Sequence, residues 1–185
     1  MAVDVGERGP GALGAASSHL TLCFLGEVPS ARNVSIASRL RAVAEGSSPF
    51  ALRLEGVGAF PNAERPRVVW VGVTLGRQEV VTLARRVQSA LEPEVGPPTG
   101  EFVPHLTMFR VRSAPERRAA AELLAGVRPA PPPREVRIDE LLLKESVLRP
   151  SGAVHRTIQA FPLGGRSVGQ PPGAPPEDVT SERQR

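Results

Sequence analysis

At 185 residues with 41% hydrophobic side chains, the chain can bury one core of ordinary size, and it has no apolar run of the roughly 18 residues that a membrane-spanning helix needs. Net charge is +4, and with Lys144 the only lysine, 22 of the 23 basic residues are arginine; that planar fork suits phosphate, so an RNA partner fits without being demanded. A lone cysteine, Cys23, excludes an internal disulfide and a cysteine-built zinc site, and the lack of an N-terminal signal pattern makes a reducing, cytoplasmic setting the expectation.

Residues 1–17 are Gly-, Ala- and Ser-rich without a clear period and are expected to be flexible. Gly9 to Gly14 matches a dinucleotide fingerprint in spacing alone, with no strand before it, and is set aside. Residues 19–25 read as a strand, with His19, Thr21, Cys23 and Leu25 on one face. A helix is expected over 31–45, capped by Ser30, turning Val34, Leu40 and Val43 inward and ending at Gly46. Phe50 to Val57 alternates as a half-buried strand, Phe60 to Pro66 is a loop, and the valine-rich stretch Arg67 to Leu75 around Trp70 is a central strand. A second helix spans 77–91. A Pro/Gly loop leads to a strand at 102–111, and a third helix at 114–127 carries the Ser113/Glu116 capping box. After a stiff Pro129–Pro133 linker, 135–148 reads as one long strand, with 154–161 as its antiparallel partner. The domain proper is 18–163, and 164–185 is expected to be disordered. Strands in mixed order with helices on one side make an α+β domain.

One pattern stands out. The chain has three histidines, at 19, 105 and 155, and each has a threonine two residues later: Thr21, Thr107 and Thr157. Two-residue spacing on a strand puts both side chains on one face. His19-Leu-Thr-Leu-Cys-Phe-Leu and His105-Leu-Thr-Met-Phe also share an apolar middle residue, and each is followed by a serine-led turn and a helix. An internal duplication explains this economically. His155-Arg-Thr157 lacks the apolar middle and is read as an ordinary half-buried strand.

At these motifs the sequence resembles the 2H phosphoesterase superfamily, and within it the RNA 2′,3′-cyclic phosphodiesterases, also called 2′-5′ RNA ligases. The resemblance rests on His19-Leu-Thr-Leu-Cys-Phe-Leu-Gly-Glu27, Arg67-Val-Val-Trp70, Phe102-Val-Pro-His-Leu-Thr-Met-Phe-Arg110 and Leu143 to Gly152, and covers roughly residues 19–163. It implies a bilobal fold: two pseudo-symmetric antiparallel-sheet lobes with outer helices and a central cleft. It implies that His19 is the proton donor to the 3′ oxygen, that His105 is the proton acceptor from water, and that Thr21 and Thr107 hold the phosphoryl oxygens. Arg110 is a further phosphate or RNA contact, or else an exposed strand end. Two departures are visible. Only 18 residues precede His19, so the first strand and helix of the first lobe are expected to be missing, leaving an open sheet edge. And the family often has an aromatic near its final strand where this chain has His155.

The chemistry follows from the residue types. Opening a cyclic phosphate needs an activated water, a proton for the leaving oxygen, and donors for the phosphoryl oxygens. Two imidazoles near pKa 6.5 can divide the first two tasks, and threonine hydroxyls can meet the charge that grows on phosphorus. The expected function is hydrolysis of RNA 2′,3′-cyclic phosphate ends to a 2′-phosphomonoester, with 2′-5′ ligation as its reverse. It needs no metal and no cofactor. The chain is expected to act as a monomer on RNA ends or small nucleotides, away from membranes. Two other readings stay open: a non-catalytic RNA- or nucleotide-binding module of the same fold, and a phosphodiesterase for another small cyclic or 2′-5′-linked nucleotide.

Overall fold

Near the N-terminus Val3 and Val5 flank Asp4, a spacing that puts both valines on one face wherever the chain is extended. The computed structural model describes residues 1–7, 20–97, 100–149 and 152–164. It places β1 at Ala2–Gly6 with all five residues buried. β1 pairs antiparallel with β2 (Leu20–Phe24) on one side and β7 (Glu140–Arg149) on the other. With β8 (Gly152–Pro162) this gives a four-stranded sheet in the order β2-β1-β7-β8. The expectation of a flexible start and an absent first strand is therefore corrected. Residues 2–6 fill an interior position of the first sheet, and the edge expected to lie open is covered. Residues 8–19, where a first-lobe helix would fall, lie outside the described residues, as does the expected tail from 165 onward.

The second sheet has the order β5-β4-β3-β6, from β3 (Phe50–Phe60), β4 (Val68–Val73), β5 (His105–Arg110) and β6 (Arg134–Ile138). All its pairings are antiparallel. The single strand expected over 135–148 is two strands in different sheets. Ile138 still pairs with Phe50, but the Asp139 N–H donates to the Gly6 carbonyl, and the Asp139 carbonyl accepts from Leu163 at 2.9 Å. The chain changes sheets at that one residue, which apolar periodicity does not register.

Among the described residues, three helices complete the fold. α1 (Asn33–Glu45) follows a short 3₁₀ turn, Ser30–Arg32, and no side chain caps it; Ser30 is part of the turn rather than a cap. Ile36, Leu40, Val43 and Ala44 face inward, while Val34, expected in the core, is 81% exposed. The stripe is set by 36, 40, 43 and 44, and position 34 lies off it. α2 (Arg77–Val95) runs through Pro93, beyond the 77–91 read from the sequence. The carbonyl that loses its donor is that of exposed Ser89, in the last turns, where water can satisfy it. α1 and α2 pack with both sheets around one core that includes Val3, Val5, Leu20, Leu22, Leu52 and Ile138. α3 (Ala114–Leu124) covers a smaller cluster through Ala120 and Leu123 over Val69, with Phe109 beside them.

The capping box of α3 forms as expected. The Ser113 hydroxyl accepts from the Glu116 N–H, and the Glu116 carboxylate accepts from the Ser113 N–H at 2.7 Å. The Arg112 N–H, then the Ser113 hydroxyl and N–H, hold the Glu116 carboxyl below the usual carboxylate range. Replacing Ser113 with alanine is expected to cost about 1 kcal/mol, measured as a lower urea midpoint; an unchanged midpoint would show that the cap adds nothing to stability.

Candidate active site

The two motif strands occupy equivalent positions. β2 is an edge of the first sheet and β5 an edge of the second, and the two edges approach each other across a cleft. Register fixes which side chains enter it. Val69 pairs with Phe109 and Trp70 with Thr107, so Met108 is an unpaired bulge residue. Val3 pairs with Cys23 and Asp4 with Thr21, so Leu22 is the equivalent bulge in β2. In both motifs the bulge falls immediately after the threonine. A bulge re-aims the side chains beside it, so the duplication read from the sequence extends to a backbone irregularity that no residue pattern shows.

On the second sheet the cleft face carries His105, Thr107, Arg110 and Trp70. The Trp70 indole lies over Gly58, where a Cβ would come 2.2 Å from the ring, so only glycine leaves it room. Trp70 stacks obliquely on Phe60 at 5.3 Å, and Phe60 meets the His105 ring edge-on at 4.9 Å. These rings wall the imidazole. Its Nδ1 lies 2.8 Å from the Val103 carbonyl. A carbonyl can only accept, so Nδ1 carries the proton and the neutral ring keeps its lone pair on Nε2.

On the first sheet, Thr21 is half-buried on the cleft face, paired with Asp4, while its neighbours Leu20 and Leu22 are in the core. Phe24 is 73% exposed and shares the cleft face with Thr21, because the bulge at Leu22 reverses the alternation beyond it. Cys23 is half-buried; burial pushes its thiol above the usual range, which keeps it protonated and removes it as a thiolate nucleophile. His19 lies outside the described residues.

Two hollows meet at Thr21, Phe24 and His105. The larger, about 290 Å³, is walled by Phe60, Phe102 and Val103, with Gln88 at its side. The smaller, about 190 Å³, continues to Thr107, Arg110 and His155. The cleft thus brings together four of the five site residues read from the sequence, namely His105, Thr21, Thr107 and Arg110. It adds Phe24, Phe60, Trp70 and His155, which that reading did not place there. The signal for His155 was present as the third His-x-Thr pair. Phe24 and Trp70 were marked only as members of the resembling motifs, and for Phe60 no signal was available, since its approach to His105 depends on strand register.

Beneath the cleft face of the first sheet lies a buried charge pair. Lys144 Nζ is 3.5 Å from Asp4 Oδ2, with side chains 4% and 1% exposed. The other oxygen, Asp4 Oδ1, has no hydrogen-bond partner among the described residues.

Comparisons with known proteins agree with this architecture. Residues 5–146 match the family model described as the 2′-5′ RNA ligase superfamily. A relative named RNA 2′,3′-cyclic phosphodiesterase from Aquifex aeolicus is 32% identical over 80% of this chain and 78% of its own length. Another of that name, from Archaeoglobus fulgidus, is 36% identical over 77% of this chain and 78% of its own. Among solved structures, a protein from Thermus thermophilus superimposes with a TM-score of 0.64 at 28% identity, covering 81% of this chain and 80% of that one. E. coli LigT complexed with 3′-AMP gives a TM-score of 0.64 at 20% identity over 88% of this chain and 96% of that one, a likeness of fold. With the family model matched across both sheets and relatives above 30% identity over most of their length, the chain belongs to the 2′-5′ RNA ligase superfamily, with the two-sheet 2H phosphoesterase fold.

Proposed function

We propose that this chain is an RNA 2′,3′-cyclic phosphodiesterase that opens the cyclic end to a 2′-phosphomonoester without a metal. In this reading His105 Nε2 takes a proton from water as the water oxygen attacks phosphorus. The P–O3′ bond breaks, and His19 donates a proton to the departing 3′ oxygen. Thr21 and Thr107 donate hydrogen bonds to the non-bridging oxygens, where negative charge accumulates. Run backwards with a ribose hydroxyl in place of water, the same steps form a 2′-5′ linkage.

The observation that supports this most is the His105–Val103 hydrogen bond. It places the proton on Nδ1 and leaves Nε2 as the acceptor, in a pocket shared with Thr21 and Thr107. That is the tautomer a general base needs. The names of the relatives from Aquifex aeolicus and Archaeoglobus fulgidus favour the same substrate class.

The test is turnover of 2′,3′-cyclic AMP by the full chain, with products separated by chromatography. Formation of 2′-AMP is expected; binding without turnover would instead identify a non-catalytic nucleotide-binding module, and 3′-AMP as product would reverse the roles of the two ribose oxygens. Because one imidazole must be neutral and the other protonated, the rate is expected to follow a bell-shaped pH profile. A profile flat from about pH 5 to 8 would rule out two titrating histidines.

A further inference from the structure

The third His-x-Thr pair does not behave as an ordinary strand segment. Along β7 and β8, Leu143 pairs with Gln159 and Lys144 with Thr157, so Ile158 is a bulge residue. The bulge again falls immediately after the threonine, as it does after Thr21 and Thr107. β8 is the other edge of the first sheet, opposite β2. His155 pairs with Ser146 two positions along from Thr157 and Lys144, and so points to the same face as both. Its ring lines the smaller hollow with Thr21, His105, Thr107 and Arg110.

The two hollows differ in chemistry. The larger is walled by the phenyl rings of Phe24, Phe60 and Phe102, which offer flat apolar faces to a base. The smaller ends in a guanidinium and an imidazole, and among the described residues lining it none is acidic. Nearby Glu145 pairs with Arg156 at 2.8 Å, and the register of β7 and β8 sends both to the opposite face. The larger hollow, by contrast, includes Glu101. With the reacting phosphate at the junction, where Thr21 and His105 belong to both hollows, and its base in the larger one, the rest of an RNA strand leaves through the smaller.

We infer that the hollow between β5 and β8 is a second phosphate subsite, in which His155 and Arg110 hold the phosphodiester one nucleotide upstream of the cyclic end. The inference rests on reading the junction as the reacting site, and it makes an RNA strand, rather than a free cyclic mononucleotide, the substrate. His155 acts here as a donor to a phosphate oxygen, a charge-assisted hydrogen bond when the ring is protonated. Phosphate contacts position a strand without reading its sequence, so the preference is for chain length and not for a particular base.

The experiment compares the kcat/KM of a dinucleotide ending in a 2′,3′-cyclic phosphate with that of 2′,3′-cyclic AMP, in the wild type, His155→Gln and His155→Lys. The wild type is expected to favour the dinucleotide by about tenfold or more, His155→Gln to lose most of that ratio through KM, and His155→Lys to keep it. A wild type without the preference, a His155→Gln variant that retains it, or a His155→Lys variant that loses it would each overturn the subsite. Calorimetric binding of 2′-AMP and of the dinucleotide product separates this from failure of the hydrolytic reading. If nothing turns over, tighter binding of the dinucleotide that disappears in His155→Gln still supports the subsite, and equal binding of the two ligands overturns it.

Discussion

Replacing His105 with alanine is expected to lower turnover of a 2′,3′-cyclic phosphate by about 10²–10⁴-fold, the scale on which a positioned acid or base contributes. The loss should appear in kcat more than in KM, because the group acts on the water proton and the hollows that hold the ligand remain. The ring is half-buried at the cleft wall and touches Phe60 by its edge, so thermal unfolding should change little. That separates a chemical role from a structural one. His19→Ala is expected to fall by a similar factor, since the leaving oxygen needs its proton as much as the water needs its acceptor. The pH profile assigns the two roles: losing the base removes the rise on the acid side, and losing the acid removes the fall on the alkaline side. A His105→Ala variant within threefold of wild-type kcat would end the two-histidine mechanism.

The second large effect is on stability. Asp4→Ala is expected to destabilise the fold by about 3–5 kcal/mol, because it strands the Lys144 ammonium in a site where its side chain is 4% exposed. Lys144→Ala should cost about as much, stranding the carboxylate instead. The double variant Asp4→Leu/Lys144→Met should recover most of the loss, since a buried pair replaced by apolar groups of similar volume is often neutral or better. Urea denaturation of the four proteins compares each single loss with the apolar replacement of the pair. Single variants within about 1 kcal/mol of wild type would mean that the pair is hydrated in solution and does not anchor β1 to β7.

That same pair explains why β1 was invisible in the sequence. Asp4 sits mid-strand, where aspartate is disfavoured, and beyond its two flanking valines the strand ends at Ala2 and Gly6, next to a stretch rich in Gly, Ala and Ser. What keeps it there is Lys144, far along the chain, and that pairing is a tertiary fact. The motif strands were legible for the opposite reason. Leu20 and Leu106 face the core while Thr21 and Thr107 face the cleft, an alternation that local sequence carries in full. The β6–β7 break was hidden because only Asp139 separates the two strands, with neither glycine nor proline to mark the change of sheet. His155 was set aside because it lacks an apolar neighbour before Thr157. On β8 that intervening position is Arg156, exposed and paired with Glu145. Arg156 shares the face of Leu141, Leu143 and Phe161 but lies past the end of the core that those residues enter, so nothing there demands a leucine.

The Val103 carbonyl that steadies the imidazole belongs to the segment 102–104, whose first two residues form a wall of the larger hollow. Whatever settles into that hollow therefore leans on the stretch of backbone that aims the ring. Occupancy and alignment share one short piece of chain, so a ligand too small to press against Phe102 leaves the reagent's aim to thermal motion.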